Sequence, residues 1–323
     1  MKTIDELKKY YETDMTPEIL ILEDARKSVI RKLLYLFIFS LILAAVIFFF
    51  AFNILGTKVF ILIILLFLII CIPGFYFITK KYTSNFKNVV INKIITFIEP
   101  NLHYNKDGYI NKSSYLESKI FTSLPDRFRG DDHVYGSIDK TKIDFSEIHS
   151  EYKTESTDKN GRKKTSWHTI FKGLFFIADF NKNFNGVTVV LPDLAERLFG
   201  SFIGNMLQKA NINRGQLIKL EDVEFEKNFA VYGDDQIEAR YILSTALMKR
   251  ITDFKKKSKK EIYLSFVSSK IYIAVSYSKN LFEPKVFKSL LDFSQIQEYY
   301  DDLQLAIGIV EDLNLNTRIW SKQ

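Results

Sequence analysis

The sequence predicts an α+β fold, with an N-terminal transmembrane helical hairpin followed by a cytoplasmic domain of mixed strands and helices. Three observations carry that expectation. Two uncharged apolar runs, residues 33–52 and 59–79, are separated only by residues 53–58. Each is close to the ~20 residues a helix needs to cross a hydrocarbon core. Beyond Thr79, period-two apolar patterns alternate with period-3.6 patterns, and the strands come as hairpins rather than as regular crossovers.

Residues 1–32 read as a cytoplasmic helical segment. Thr16 suits an N-cap, Pro17 the first helical position and Glu18 the positive end of the dipole. Ile19, Leu22 and Val29 then follow at near-helical spacing into the first span. Arg26, Lys27, Arg31 and Lys32 precede that span, Lys80, Lys81 and Lys87 follow the second, and the connecting loop carries only Lys58. The positive-inside rule places both termini of this multi-pass chain in the cytoplasm. A signal peptide is a poor fit, because some thirty mixed-charge residues precede the first run and a second run follows at once. Neither span contains Asp, Glu, Lys, Arg or His, which favours an anchor over an ion or proton path. The single cysteine, Cys71, lies in the second span, which excludes an intrachain disulfide and a cysteine-built metal site.

Residues 80–105 are expected to hold a membrane-proximal amphipathic helix, with Phe86, Val89, Val90, Ile94 and Phe97 on one stripe and an end near Pro100. Residues 106–323 form the cytoplasmic α+β domain, and most of the formal net charge of +7 lies after Thr79. Ile143 and Phe145 begin a strand that runs towards Tyr152, and Trp167 to Phe180 is its partner. Asn160-Gly161 signals a two-residue type I′ turn between them. That turn would set His149 opposite Lys172, and His168 opposite Lys153. Val187 to Leu191 is a further strand, and Leu194, Leu198, Phe202 and Met206 mark a helix in which Gly200 and Gly204 permit close contact. Ile262, Leu264 and Phe266 alternate, Ser268 to Lys270 turn, and Ile271, Ile273 and Val275 alternate again. Ile296, Tyr300, Leu303, Ile307 and Val310 form the stripe of a terminal helix.

The sequence holds no Walker loop, dinucleotide-binding glycine pattern, serine nucleophile elbow or HExxH zinc helix. Two paired carboxylates remain. Asp234-Asp235 precedes Glu238 and an apolar stripe through Ile237, Tyr241, Met248 and Ile251, so it reads as a helix cap. Asp131 and Asp132 are candidate acid–base or cation-holding groups, together with Glu147 and His149, which share a strand face with Glu151. The competing reading of that face is a solvated lattice of cross-strand charge pairs. His103 and His133 have no evident partners. Lys255, Lys256, Lys257, Lys259 and Lys260 are candidate contacts to anionic lipid headgroups, against the plainer reading of cations at a helix C-terminus.

Several stretches resemble a known family: GDDHVYGSIDKTKIDFSEIHSEYKTE from Gly130, FKGLFF from Phe171, KLEDVEFEKNFAVYGDDQIEARYIL from Lys219, and FEP from Phe282. They are similar to the bacterial membrane-protein family filed as domain of unknown function 3137. With the two spans, the resemblance extends over nearly the whole chain. It implies a bacterial cytoplasmic (inner) membrane location and brings no catalytic residue with it. The resulting expectation is a membrane-anchored binding or scaffold domain, with the bilayer, a protein partner and anionic headgroups as contacts. No cofactor, metal or nucleic acid is expected. The alternatives are a membrane-bound hydrolase or metal-dependent enzyme using Asp131, Asp132, Glu147 and His149, and a subunit of an oligomeric channel.

Overall fold

The computed structural model describes residues 2–157, 161–180, 182–192 and 215–315, without the side chains of residues 53–55. The expected helix over 194–206, its Gly200 and Gly204, and Asn160 of the expected turn lie outside the described residues. The chain divides into two compact units. One holds residues 2–97 and 282–300, and the other holds 98–281 and the chain from Asp301.

The first unit is built on two long helical rods. Helix α1 (Ile4–Tyr10) starts at a capping box in which Thr3 accepts from the Glu6 N–H, while the Glu6 carboxylate accepts from the Thr3 N–H. A π-turn over Tyr11–Met15 passes it without interruption into α2 (Thr16–Leu55). Thr16 is therefore an interior residue rather than the expected cap. Its N–H and its hydroxyl both donate to the Tyr11 carbonyl. The next residue, Pro17, has no N–H to give, and widening the preceding turn keeps the rod continuous. Helix α3 (Lys58–Phe86) returns, and a second π-turn (Lys87–Ile91) leads into α4 (Asn92–Ile98). Gly74 lets the rods approach closely: a Cβ there would meet Leu36 Cδ2 at 2.6 Å. Both rods are long and apolar enough to cross a membrane. Only 6% and 0% of the residues in their most apolar windows are buried.

In the second unit the described residues form one antiparallel nine-stranded sheet. Its strands are β1 (Leu102–Asn105), β2 (Arg127–Ile138), β3 (Thr141–Thr157), β4 (Lys163–Asp179), β5 (Val187–Pro192), β6 (Gln216–Ile218), β7 (Phe229–Gly233), β8 (Ile262–Val267) and β9 (Lys270–Ser276). Their spatial order is β1-β2-β3-β4-β9-β8-β5-β7-β6. The central strands are apolar on both faces. Ile148, Phe171, Phe175, Tyr272 and Ala274 pack on one side with Ile110, Tyr115 and Ile120. Phe145, Phe176, Ile273 and Leu264 are buried on the other.

The first of these faces carries three buried serines whose hydroxyls hold the segment that covers it. Ser146 accepts from the Ile110 N–H at 3.0 Å, Ser150 pairs with the Tyr115 hydroxyl at 2.8 Å, and Ser265 donates to the Ser118 carbonyl at 2.5 Å. Buried hydroxyls must be partnered, so these serines register helix α5 (Lys112–Glu117) over the sheet. Among the described residues the remaining helices are α6 (Val223–Glu226), α7 (Gln236–Ile242), α8 (Thr245–Ser258), α9 (Phe293–Ile307), whose residues are divided between the two units, and α10 (Ile309–Asp312). The expected single helix through Ile237 and Ile251 is two, broken at Leu243, whose φ of −85° and ψ of 65° are not helical. Asp235 caps α7 as its spacing foretold, accepting from Ile237 and Glu238 at 2.7 and 3.2 Å.

Candidate functional site

The β2–β3 register gathers the charged residues that the sequence singled out. Arg127 faces Glu151, Arg129 faces His149 and Asp131 faces Glu147, so all six lie on one sheet face. His149 lies opposite Lys172 as expected, although the register beside the turn, where Thr157 faces Lys163, is one residue off the expected one. On the turn side His168 therefore faces Tyr152 instead of Lys153, and a bulge that leaves Ile170 unopposed brings the register back to the expected one at His149.

A bulge in β2 separates the two aspartates. Asp131 keeps the strand register, whereas Asp132 falls in the irregular stretch with φ +56° and is buried. The Tyr104 hydroxyl donates to Asp132 Oδ1, and the Asp132 N–H donates to the Lys106 carbonyl at 3.2 Å. Glu147 is also buried, and its Oε1 accepts from the Leu281 N–H at 2.6 Å.

His149 is engaged at both nitrogens. Arg129 Nη2 donates to Nδ1 at 3.1 Å, which leaves the proton on Nε2, 3.7 Å from Glu151 Oε1. The same Arg129 nitrogen lies 3.1 Å from Glu151 Oε2. Burial lowers the His149 pKa, and Arg129 and Lys172 add to the effect against Glu151, so the imidazole is neutral at pH 7. To serve as a metal ligand, His149 would have to release Arg129 or Glu151. The face is an ionic lattice in which each candidate group already has protein partners.

Two other histidines gain partners that the sequence did not suggest. His133 Nε2 meets Asp144 Oδ1 at 2.6 Å, and the rings of His103 and His133 both lie tilted against Tyr135. The β2 bulge brings His133 to Asp144, a contact that a regular alternation would not make.

The lysine run is divided among separate partners. Lys255 donates to the Asn228 carbonyl and lies over the Phe229 ring, Lys256 pairs with Glu224, and Lys257 pairs with Asp312. Lys259 takes the left-handed position that ends α8, and Lys260 lies over Tyr277.

A polar cluster that sequence reasoning missed lies in the first unit. Glu23 and Arg26, 3% and 8% exposed, form a two-pronged ion pair with Nε···Oε2 of 2.9 Å and Nη2···Oε1 of 2.6 Å. Arg26 Nη1 donates to the Val286 carbonyl at 3.0 Å, and Glu23 Oε2 accepts from the Leu290 N–H at 3.0 Å. Lys87 pairs with Glu283 at 2.8 Å, and the Tyr299 hydroxyl donates to the Glu283 carbonyl at 2.8 Å. Residues 282–300 are thus strapped to the base of the two rods. Arg26 holds the Glu23 carboxyl down to about 2, with help from Leu290 and Ser289. A signal existed: Arg26 falls on the stripe Ile19, Leu22, Val29, where an apolar residue is expected.

No curated protein matches the chain. A crystal structure of the mycobacterial trehalose monomycolate transport factor A, TtfA, aligns with a TM-score of 0.28 at 10% identity, over 63% of this chain and 88% of that one. A likeness at that score supports no inference about fold or activity. Over residues 169–315, under half of the 323-residue chain, the sequence matches the model of the family described as "Protein of unknown function (DUF3137)", which supports the family resemblance for that stretch.

Proposed function

We propose that this protein is a membrane-anchored binding module of the bacterial inner membrane, with both termini and the sheet domain in the cytoplasm. The observation that carries the reading is the bareness of the two rods. Phe49 is 76% exposed, and Phe50, Ile69 and Phe77 are comparably open. Two adjoining helices with such surfaces need an apolar solvent. The exposed Arg31, Lys32, Lys80 and Lys81 stand at one end of the hairpin, which suits the anionic cytoplasmic leaflet.

The partner is a protein with an acidic surface, and the element that meets it is the far end of the β3–β4 ribbon. Beyond Glu151 and Lys172 these strands pair only with each other among the described residues. The arm carries Lys163 and Lys164, and also Lys153, which pairs with Glu155 at 2.9 Å. At its root Arg127 lies 3.4 Å over the Trp167 ring and Tyr152 stacks on His168. Tryptophan, tyrosine and arginine are the residue types that dominate binding hot spots. Tethering raises the encounter rate with a membrane-bound partner without demanding a large interface.

The test is affinity purification of tagged full-length protein from native membranes in mild detergent, with stoichiometry by mass spectrometry. One protein recovered near one-to-one, and lost from a Trp167→Ala/Lys163→Glu/Lys164→Glu variant, is the expected result. Recovery of the chain alone, or a partner indifferent to the arm, would overturn the reading.

A further inference from the structure

We infer that the rods hold one phospholipid acyl chain in a cleft between them, near the strap. The inference rests on the membrane reading above and adds to it a defined lipid site. The cleft has a volume of about 360 Å³ and is walled by Ile30, Leu34 and Phe37 of α2, Phe67 and Phe75 of α3, and Phe287 of the strap. That volume lies at the small end of the range for ligand clefts. The walls carry no charged side chain, and Cys71 Sγ is their one side-chain heteroatom. Ordered water needs several polar partners and finds none on such walls. Hydrocarbon is the occupant that suits the surface.

The ends of the cleft differ, which favours a lipid over a purely apolar molecule. Lys27 lies on the stripe of Ile30, Leu34 and Phe37, one turn nearer the N-terminus, about 4.5 Å along the axis. Phe287 sits in a turn closed by a bond from the Lys288 N–H to the Lys285 carbonyl at 2.9 Å, and Lys288 follows it in the open. Both residues are exposed, and Lys27 shares its ammonium with Asp24 at 3.8 Å, an open surface pair of little strength that a phosphate can displace. The strap is fixed by Glu23, Arg26 and Lys87, so Phe287 is positioned before any lipid arrives. An acyl chain between the rods with its phosphate between Lys27 and Lys288 satisfies both ends.

The test uses full-length protein in vesicles of phosphatidylethanolamine and phosphatidylglycerol, doped with a phospholipid bearing a diazirine in one acyl chain. Crosslinked residues are mapped by mass spectrometry after illumination. General labelling is expected on open span faces such as Phe49, with a concentrated set on the cleft walls. Cys71→Phe, which fills the cleft, and Lys27→Glu/Lys288→Glu, which alters only exposed groups, should each cut the cleft set about fivefold or more and leave Phe49 unchanged. Labelling at Phe49 with a cleft set indifferent to both variants would overturn the lipid site and spare the membrane reading. Absence of labelling at Phe49 as well would overturn both.

Discussion

Glu23 and Arg26 lie one helical turn apart on α2, and each also binds the backbone of a segment 260 or more positions further along the chain. Arg26 uses Nε and Nη2 on the carboxylate and Nη1 on the Val286 carbonyl, while Glu23 takes the Leu290 N–H. A buried ion pair gains little over a hydrophobic pair of the same shape, but a broken one leaves a buried charge. The asymmetry gives the strap its specificity, since only the segment offering Val286 O and Leu290 N completes the pair.

Removing one partner should therefore cost far more than removing both. Glu23→Gln is expected to destabilise the detergent-solubilised protein by about 3–5 kcal/mol, with residues 282–300 becoming sensitive to protease. Glu23→Met/Arg26→Met should recover most of that loss. Thermal unfolding of the two variants beside the parent decides it. Equal losses would mean that shape, not charge, holds the strap.

The same carboxylate sets an acid limit. A carboxyl held near 2 against an ordinary 4.5 binds protons less readily in the folded chain than in the unfolded one. Its stabilisation is fully present above about pH 4.5 and is lost as pH falls towards 2, in total on the order of 3 kcal/mol. A stability profile across that window should be steeper for the parent than for Glu23→Met/Arg26→Met.

His149 works in a higher window. Its pKa is lowered, so the unfolded chain takes up a proton first as pH falls below the ordinary 6.5. Stability should decline from that pH towards the folded pKa, and His149→Gln should flatten this part of the profile. Arg129→Ala removes a cation from Nδ1, so the imidazole should titrate at higher pH, which NMR of the ring protons reads directly.

Much of the sheet could be read from alternation, and the places where reading failed share one cause. Ile262 to Val275 folds as the hairpin its pattern described, because those strands keep an unbroken period of two. Strand β2 went unnoticed. Its bulge near Asp132 changes which residues face inward, so Phe128 and Val134 do not belong to one simple alternation. Beside the β3–β4 turn the register is one residue off the expected one, which moves His168 away from Lys153, and the slip at Ile170 returns His149 to Lys172. A bulge is invisible in composition because it needs only one extra residue. The strap was hidden differently: Glu23 and Arg26 look like a solvated i,i+3 pair until the later segment is known to cover them. The charged face around His149 was visible as a set of residues, but its wiring depends on Arg129 and Leu281, which only the register and the chain's return supply.

The turn between β8 and β9 offers a stabilising change. Ser268 and Ser269 both have positive φ, 51° and 57°, the geometry of a type I′ hairpin built from residues that resist it. Ser268→Asn/Ser269→Gly should raise stability by about 0.5–1 kcal/mol, seen as a higher denaturant midpoint with an unchanged slope. A lower midpoint would mean the serine hydroxyls hold the turn.

Gly173 and Gly161 share positive φ, yet they should respond very differently to a methyl group. At Gly161, φ is +77° and a Cβ would have open space around it, so Gly161→Ala should cost only the backbone penalty, about 1–2 kcal/mol. At Gly173, φ is +151° and a Cβ would sit 2.1 Å from the Val275 carbonyl oxygen and 2.8 Å from the Tyr277 nitrogen. Relief requires β9 to move away from β4, which breaks the bond from the Tyr277 N–H to the Lys172 carbonyl. Overpacking of about 1–3 kcal/mol then adds to the backbone strain. Lys172 faces His149, so the damage should also reach the charged face: in Gly173→Ala the His149 titration shifts, whereas in Gly161→Ala it does not. Denaturant midpoints and the imidazole titration of the two variants give both readouts. A similar loss at the two glycines, with His149 unmoved in each, would mean that β4 and β9 separate there without strain.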